Sequence, residues 1–539
     1  MKYLFIAAFV AFFIPAGAQV KSIKVAPSKD TVVVTSTTVT TLTTAIIPGP
    51  GPGPGPGPGP GPGPGDTISL SFVPETNYYE RPFAGVEDWN GQNYAPIPNA
   101  TNPAQRLDRY FRFGFTQLEG PAKGSYNWSV FDREINKAIS ARQKFSFGIM
   151  TVCPGGCDPF NGTVNYDGST SLYPLYLHNL MQTEAVKDRV IGSTWCPNWN
   201  SQNYLGRLDA LHAALAAHIN TTSFNGVLYK NVVNYIDIRE MGSYGEWHHA
   251  GLEDPVSNYP AGMRPLVSTY KRIIDSYINN FPDYQLVMLV ATLDAFFLNN
   301  TMTPPEVTDY ALKVKNRFGY IGIRSDQRGS SQWYDLDNYI HRYMELNNRS
   351  FGASGPFSEI IMKRWQLAPL VGEPENNGEA LPTLVQQFQM YRQANIGNGN
   401  FSRSTVADNN MRNAAAIAGY RVGLTGGQVI VLRDSIKVSL NWLNTGLAPC
   451  YENWLTEFQL VNSAGSIVWT AKSSFLVRLF LPNQIAMAVT ETFFKSLPPG
   501  SYLLKLIVRD PNNYRAPFPL NIAGRSAEGS YLVAPVVFR

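Results

Sequence analysis

Histidine and cysteine are scarce in this chain of 539 residues, with six of the first and four of the second. The histidines form no cluster with ligand spacing. Cys153 and Cys157, which frame Pro-Gly-Gly, have no second CxxC or HxxxH pair to complete a zinc site. A metal centre is not expected, and no cofactor is: the chain lacks a Gly-x-Ser-x-Gly elbow and a Gly-rich phosphate loop. Charge is also low. Charged residues make up 16% of the chain, the formal net charge is +4, and no long Lys/Arg run occurs, which argues against a nucleic-acid surface. Beyond the N-terminus no apolar stretch approaches the ~20 residues that cross a bilayer as a helix, so no membrane span is expected.

Aromatic residues are plentiful at 12%, including 28 Tyr and 10 Trp, a composition that fits carbohydrate binding. The chain opens with Lys2, an apolar run from Leu4 to Ile14 and the small-residue stretch Pro15 to Gln19, the order of a secretory signal over residues 1–18. Export to the periplasm or beyond follows as an expectation. In such an oxidising compartment one local disulfide is plausible, with the pairing of Cys153, Cys157, Cys196 and Cys450 left open by sequence. Residues 19–47 are rich in Thr and Val and read as a stalk that could touch the cell envelope. Residues 48–65 alternate Pro and Gly, which suits neither helix nor sheet, because Pro lacks a donor and Gly loses entropy on ordering. This linker could reach about 50 Å if extended.

Past the linker, apolar runs suited to strands recur at 79–87, 109–118, 144–152, 232–240, 284–292, 320–326, 365–373 and 401–407. Between them lie segments with apolar residues three and four apart, such as Phe131, Ile135, Ala138 and Ile139. Eight strands alternating with helices predict an α/β fold, a (β/α)8 TIM barrel over 66–424. From 425 to 539 the helical period disappears and short strands separated by Gly, Pro and Asn predict an antiparallel β-sandwich, with Gly423 to Gly427 at the junction.

Barrel enzymes build their sites from the loops at the carboxyl ends of the strands. Acids fall there repeatedly: Glu119 after the second strand, Glu240 and Glu246 after the fourth, Asp294 after the fifth, Asp326 on the sixth, Glu373 and Glu375 on the seventh. Glycoside hydrolysis needs two carboxyl groups flanking one bond, and Glu246 and Glu373 are the chosen pair. Trp247, His248, Arg324, Asp326, Glu240 and Glu119 are the candidate substrate contacts, with Trp89 and Trp333 as further aromatic platforms. Glu373 could instead serve a structural ion pair with Arg324 or Arg364, and Glu240 is the first alternative to Glu246.

Four motifs, Tyr-Gly-Glu-Trp-His (244–248), Gly-Ile-Arg-Ser-Asp (322–326), Ala-Pro-Leu-Val-Gly-Glu (368–373) and Leu-Pro-Pro-Gly-Ser-Tyr (497–502) with Val-Arg-Asp-Pro (508–511), carry a resemblance. From about residue 78 onward the chain resembles the secreted bacterial domain-of-unknown-function family 4832 with its N-terminal barrel part. That family looks like the large retaining clan of barrel glycoside hydrolases, whose acid/base and nucleophile come from the ends of the fourth and seventh strands, which implies those roles for Glu246 and Glu373. Glu246 follows Gly245 where that clan has Asn, and the loop is locally similar to the acid-bearing loop of the inverting β-amylases, so the stereochemical course stays open. The expectation is a secreted glycosidase acting on a poly- or oligosaccharide; the alternative is a glycan-binding protein on a barrel scaffold that does not cleave its ligand.

Overall fold

The computed structural model describes residues 67–76, 81–89, 108–154, 171–191, 194–247, 262–289, 305–330, 363–375, 378–399, 402, 404–494 and 496–538. The expected signal, stalk and linker lie outside these residues, as do His248, Asp294 and Trp333.

Strand β1 (Thr67–Ser71) comes first, and eight further strands follow: β2 (Gly85–Trp89), β3 (Asp108–Gly114), β4 (Phe145–Met150), β5 (Val233–Glu240), β6 (Gln285–Leu289), β7 (Gly322–Arg328), β8 (Leu370–Pro374) and β9 (Asn395–Gly397). Each strand from β2 to β7 pairs in parallel with the next, and β9 returns to pair with β2. The remaining seam is bridged where the Ala394 amide donates to the Leu370 carbonyl at 2.9 Å. The result is an eight-stranded parallel, nearly closed barrel. Helices α1 (Ser129–Ala141), α2 (Gln202–Thr221), α3 (Val267–Asn280), α4 (Pro305–Lys313), α5 (Leu384–Tyr391) and α6 (Thr405–Ile417) lie between or after the strands.

The helices form where the apolar period demands a buried stripe. Phe131 on α1 packs against Phe113 of β3 and Phe147 of β4, with ring centroids 5.3 Å away in both cases. Ser201 caps α2 by accepting from the Tyr204 amide at 3.1 Å, which satisfies one of the donors a helix start leaves open. Leu208, Leu211, Leu215 and Ile219 then bury one face of α2.

The eighth barrel strand is β9, not 401–407. Asn395-Ile396-Gly397 has too few apolar residues to stand out, while Ser404 inside the expected segment caps α6 through the Ala407 amide. The C-terminal region holds β10 (Val422–Val431), β11 (Ser435–Asn444), β12 (Leu455–Val461), β13 (Ile467–Lys472), β14 (Met487–Phe494), β15 (Gly500–Arg509) and β16 (Tyr531–Phe538). They form two antiparallel sheets, ordered β1-β10-β11-β14 and β13-β12-β15-β16. One apolar cluster, including Val429, Leu440, Phe458, Leu504 and Val536, draws on both. Two features differ from the sequence expectation. Thr67–Ser71 pairs with β10 rather than joining the barrel, because Ile68 and Leu70 alternate onto that cluster. Gly423 to Gly427 lie within β10 at an irregular register rather than at a junction.

The amino-terminal end of the barrel is closed by this second region. Tyr451 packs its ring 5.7 Å from Phe83, which in turn lies 5.8 Å from Tyr235 inside the barrel. Cys153 is disulfide-bonded, and Cys196 and Cys450 are buried and not part of a disulfide. No helix among the described residues is long and apolar enough to cross a membrane.

Candidate active site

The barrel interior is ionic rather than aliphatic. At its base the Tyr235 hydroxyl donates to Glu87 at 2.6 Å, and burial pushes the Glu87 carboxyl up to about 8. Above it, Asp237 Oδ2 accepts from the Tyr110 hydroxyl at 2.7 Å, Arg239 Nε at 2.8 Å and Arg324 Nη1 at 2.7 Å. The Trp89 indole stacks on Tyr110 with centroids 4.7 Å apart and lies 4.8 Å below both the Arg112 and Arg324 guanidinium carbons. Two cations beside one indole are tolerable because the ring quadrupole attracts them and acids pair with both. Room for Arg239 comes from Gly148 on β4, where a β-carbon would stand 2.6 Å from Arg239 Cδ.

The segment after β5 turns back sharply to deliver one more acid. Glu240, Tyr244 and Trp247 have positive φ of 83°, 57° and 59°, alongside Gly242 and Gly245. Non-glycine residues there are strained, so surrounding contacts must hold them. Arg239 Nη1 donates to the Tyr244 carbonyl at 2.7 Å, Thr151 Oγ1 to the Glu240 carbonyl at 2.6 Å, and Trp247 Nε1 to the Ile238 carbonyl at 2.7 Å. Fully buried and stacked on Tyr270, Trp247 is a peg that fixes the preceding residue, Glu246, over the barrel mouth.

Glu246, Asp326 and Glu373 converge there, each placing a carboxylate oxygen within 4.8 Å of the others. Glu246 Oε1 lies 3.0 Å from Arg112 Nη1, 3.2 Å from Arg239 Nη1 and 3.7 Å from Arg324 Nη2. Glu373 Oε2 meets Arg112 Nη2 at 2.8 Å and Arg324 Nη2 at 2.5 Å, while Asp326 Oδ1 meets Arg324 Nε at 2.8 Å. With Asp237, four carboxyl groups face three guanidinium groups. Burial, reinforced by the charges of Glu373 and Glu246 and opposed by Arg324, pushes Asp326 up to about 7. The three oxygens are near enough to share a metal ion, but three guanidinium groups already supply the counter-charge, so the donor set suits a cation poorly.

Of the residues singled out from sequence, Glu246, Arg324, Asp326 and Glu373 meet at the mouth. Three do not. Glu240 points outward beneath the helices, where its Oε1 contacts His212 Nε2 at 3.2 Å and the Tyr277 hydroxyl at 3.3 Å, because alternation on β5 sends it to the face opposite Arg239. Glu119 ties down its own loop by accepting from the Gly124 amide at 2.6 Å and pairing with Arg207. Trp247 offers no sugar platform, being sealed in the core. His248 lies outside the described residues. Sequence reasoning missed Arg112, Arg239, Asp237 and Tyr110, although each alternates onto the inner face of a strand whose outer face is apolar. A polar residue at every second position of a buried barrel strand was the available signal.

No family model and no curated protein sequence matches the chain. Among solved structures it is similar to endo-glycoceramidase II from Rhodococcus sp. in a complex with a cellobiose-like imidazole, at 11% identity and a TM-score of 0.34 over 69% of this chain and 86% of that one. The same enzyme in a cellobiose-like isofagomine complex gives 10% identity and a TM-score of 0.37 over 79% of this chain and 100% of that one. The catalytic domain of β-amylase from Paenibacillus polymyxa gives 10% identity and a TM-score of 0.36 over 61% and 95% of the two chains.

Proposed function

We propose that the protein is a glycoside hydrolase whose Glu246 and Glu373 flank the scissile bond. The observation that carries this reading is the approach of their carboxylate oxygens to within 4.8 Å at the carboxyl-end rim of a parallel barrel. Retaining glycosidases hold their two carboxyl groups about 5 Å apart, and inverting ones about 6.5–9.5 Å apart; both Glu246 and Asp326 bring an oxygen within the shorter range of Glu373, so the spacing favours retention through a covalent glycosyl intermediate. Glu373, gripped by Arg112 and Arg324, is the nucleophile; Glu246, presented by the strained β5 loop, is its partner across the bond. The site residues inferred from sequence thus narrow to Glu246, Glu373, Arg324 and Asp326, and the carbohydrate substrate enters from the rim. We read the paired C-terminal sheets as a β-sandwich domain, the whole as related to family 4832, and the N-terminal signal and stalk as directing it out of the cell to the envelope.

A panel of oligosaccharides and dinitrophenyl glycosides tests the reading. Turnover by the wild type, lost in Glu373→Gln, supports it. Tight glycan binding with no turnover of any member would replace it with the non-catalytic binding reading.

A further inference from the structure

Resting on the hydrolase reading, we infer that Asp326, rather than Glu246, is the group that protonates the leaving oxygen. A general acid must hold a proton at working pH while facing the substrate, and the three carboxyls at the mouth are not equally able to do so. Among the described residues Glu246 is reached by three guanidinium groups and Glu373 by two. Asp326 is met by one, Arg324, whose charge is already divided among Asp237, Glu246 and Glu373. The charged groups that act on Asp326 are Arg324 on its own strand, Glu373 on β8 and Glu246 on the loop after β5. Asp237, whose carboxyl is also raised by burial, is fully buried beneath the mouth, so Asp326 is the mouth carboxyl with the fewest guanidinium contacts among the described residues. The upward shift of Asp326 to about 7 agrees with that assignment. Its side chain is also the most open of the three, 16% exposed against 12% for Glu246 and 10% for Glu373.

In the resulting sequence the Glu373 carboxylate forms a bond to the anomeric carbon as the bond from that carbon to the leaving oxygen breaks. The electron pair of the broken bond stays on the oxygen, which takes the proton of Asp326 and departs as an alcohol. Asp326, now ionised, accepts a proton from water as the water oxygen attacks the same carbon and releases Glu373. Glu246, held in place by three guanidinium groups, lines the site beside the ring and transfers no proton. No further reactant is needed beyond water.

The discriminating experiment compares Asp326→Asn and Glu246→Gln on one sugar carrying either dinitrophenolate, which leaves without a proton, or an unactivated alcohol. For Asp326→Asn the expected result is a fall of about 10²–10⁴-fold in kcat/KM on the unactivated glycoside, a much smaller fall on the dinitrophenyl glycoside, and loss of the alkaline limb of the pH profile. Added azide should restore turnover of the dinitrophenyl glycoside by this variant and yield a glycosyl azide. Glu246→Gln should lose activity on both substrates alike. If instead Glu246→Gln shows the dependence on leaving group and the azide rescue, the assignment to Asp326 is overturned while the hydrolase reading stands. A wild type inert on every glycoside overturns both. The alkaline limb of the wild-type profile needs no variant to fold: a limb falling near pH 7 supports Asp326, and a profile flat to pH 9 overturns it.

Discussion

The two ends of the barrel both bury ions, yet they solve the problem differently. At the amino-terminal end the charges belong to different regions and tie them together. Arg515 of the C-terminal region pairs with Asp108 of β3 and lies 3.8 Å from Glu452, while Lys144 lies 3.9 Å from Glu452 and donates to the Asn231 carbonyl at 2.8 Å. Asp510 is satisfied by the amides of Asn512, Tyr514 and Arg515. Beside these pairs a cavity of about 150 Å³ is lined by Lys144, Asn234, Gln285, Glu452, Trp454 and Arg515. At the mouth, by contrast, the four acids and three cations all belong to the barrel, and among the described residues their ion pairs join no second region. Ions joining two surfaces form a fastening. Acids crowded at a barrel rim, one of them delivered by strained backbone, have the character of a site.

Substitutions at the two ends should separate these roles, beginning with the largest effect. Glu373→Gln should lower glycoside turnover by about 10³-fold or more while the protein still unfolds cooperatively, as checked by steady-state kinetics and urea melts. Arg324→Met leaves Asp237, Asp326, Glu246 and Glu373 short of their shared counter-charge, and removing one partner of a buried pair costs about 3–5 kcal/mol, read from urea unfolding. Trp247→Ala should cost a similar ~3–5 kcal/mol by leaving a cavity under the loop, and should also lower turnover because Glu246 loses its anchor. Arg515→Met at the opposite end should cost about 2–3 kcal/mol, with turnover per folded molecule unchanged. Loss of turnover in Arg515→Met to the extent seen in Trp247→Ala would erase the distinction between fastening and site.

How much of this could be read from the residues depends on which face of a strand carries the signal. The helical stripes of Phe131, Ile135 and Ile139 or Leu208, Leu211 and Leu215 announced the helices, and the β-branched run ending at Glu240 announced β5. The short β9 went unseen because Ile396 is its one large apolar side chain, and strand propensity in 401–407 lost to the cap at Ser404. Within the site, Glu246, Asp326, Arg324 and Glu373 were legible from their places at strand ends. Trp247 was misread because an indole beside an acid has the same sequence signature whether it faces a ligand or the core. Arg112 and Arg239 were invisible for a related reason: pairing depends on closure of the barrel, which sets residues from β3, β5, β7 and β8 side by side although they lie up to 261 positions apart.

A further comparison lies in the pH dependence of stability, and it distinguishes the mouth from the layer beneath it. Asp326 rises from the ordinary 3.8 to about 7 and Glu87 from 4.5 to about 8, both chiefly through burial. In each case the folded state holds a proton that the unfolded chain releases at lower pH. Their contribution to stability is therefore complete below about pH 4 and is lost as pH climbs through about 7 for Asp326 and about 8 for Glu87. Urea midpoints measured between pH 4 and 9 should fall across that window. Asp326→Asn should flatten the part of the fall that ends near pH 7, and Glu87→Gln the part that ends near pH 8. The second variant sits beneath Trp89, away from the rim, so it should leave the alkaline limb of the rate profile in place. If Glu87→Gln removed that limb and Asp326→Asn did not, the proton that matters for turnover would belong to the base of the barrel, and the contrast between a structural interior and a reactive mouth would have to be redrawn one layer lower.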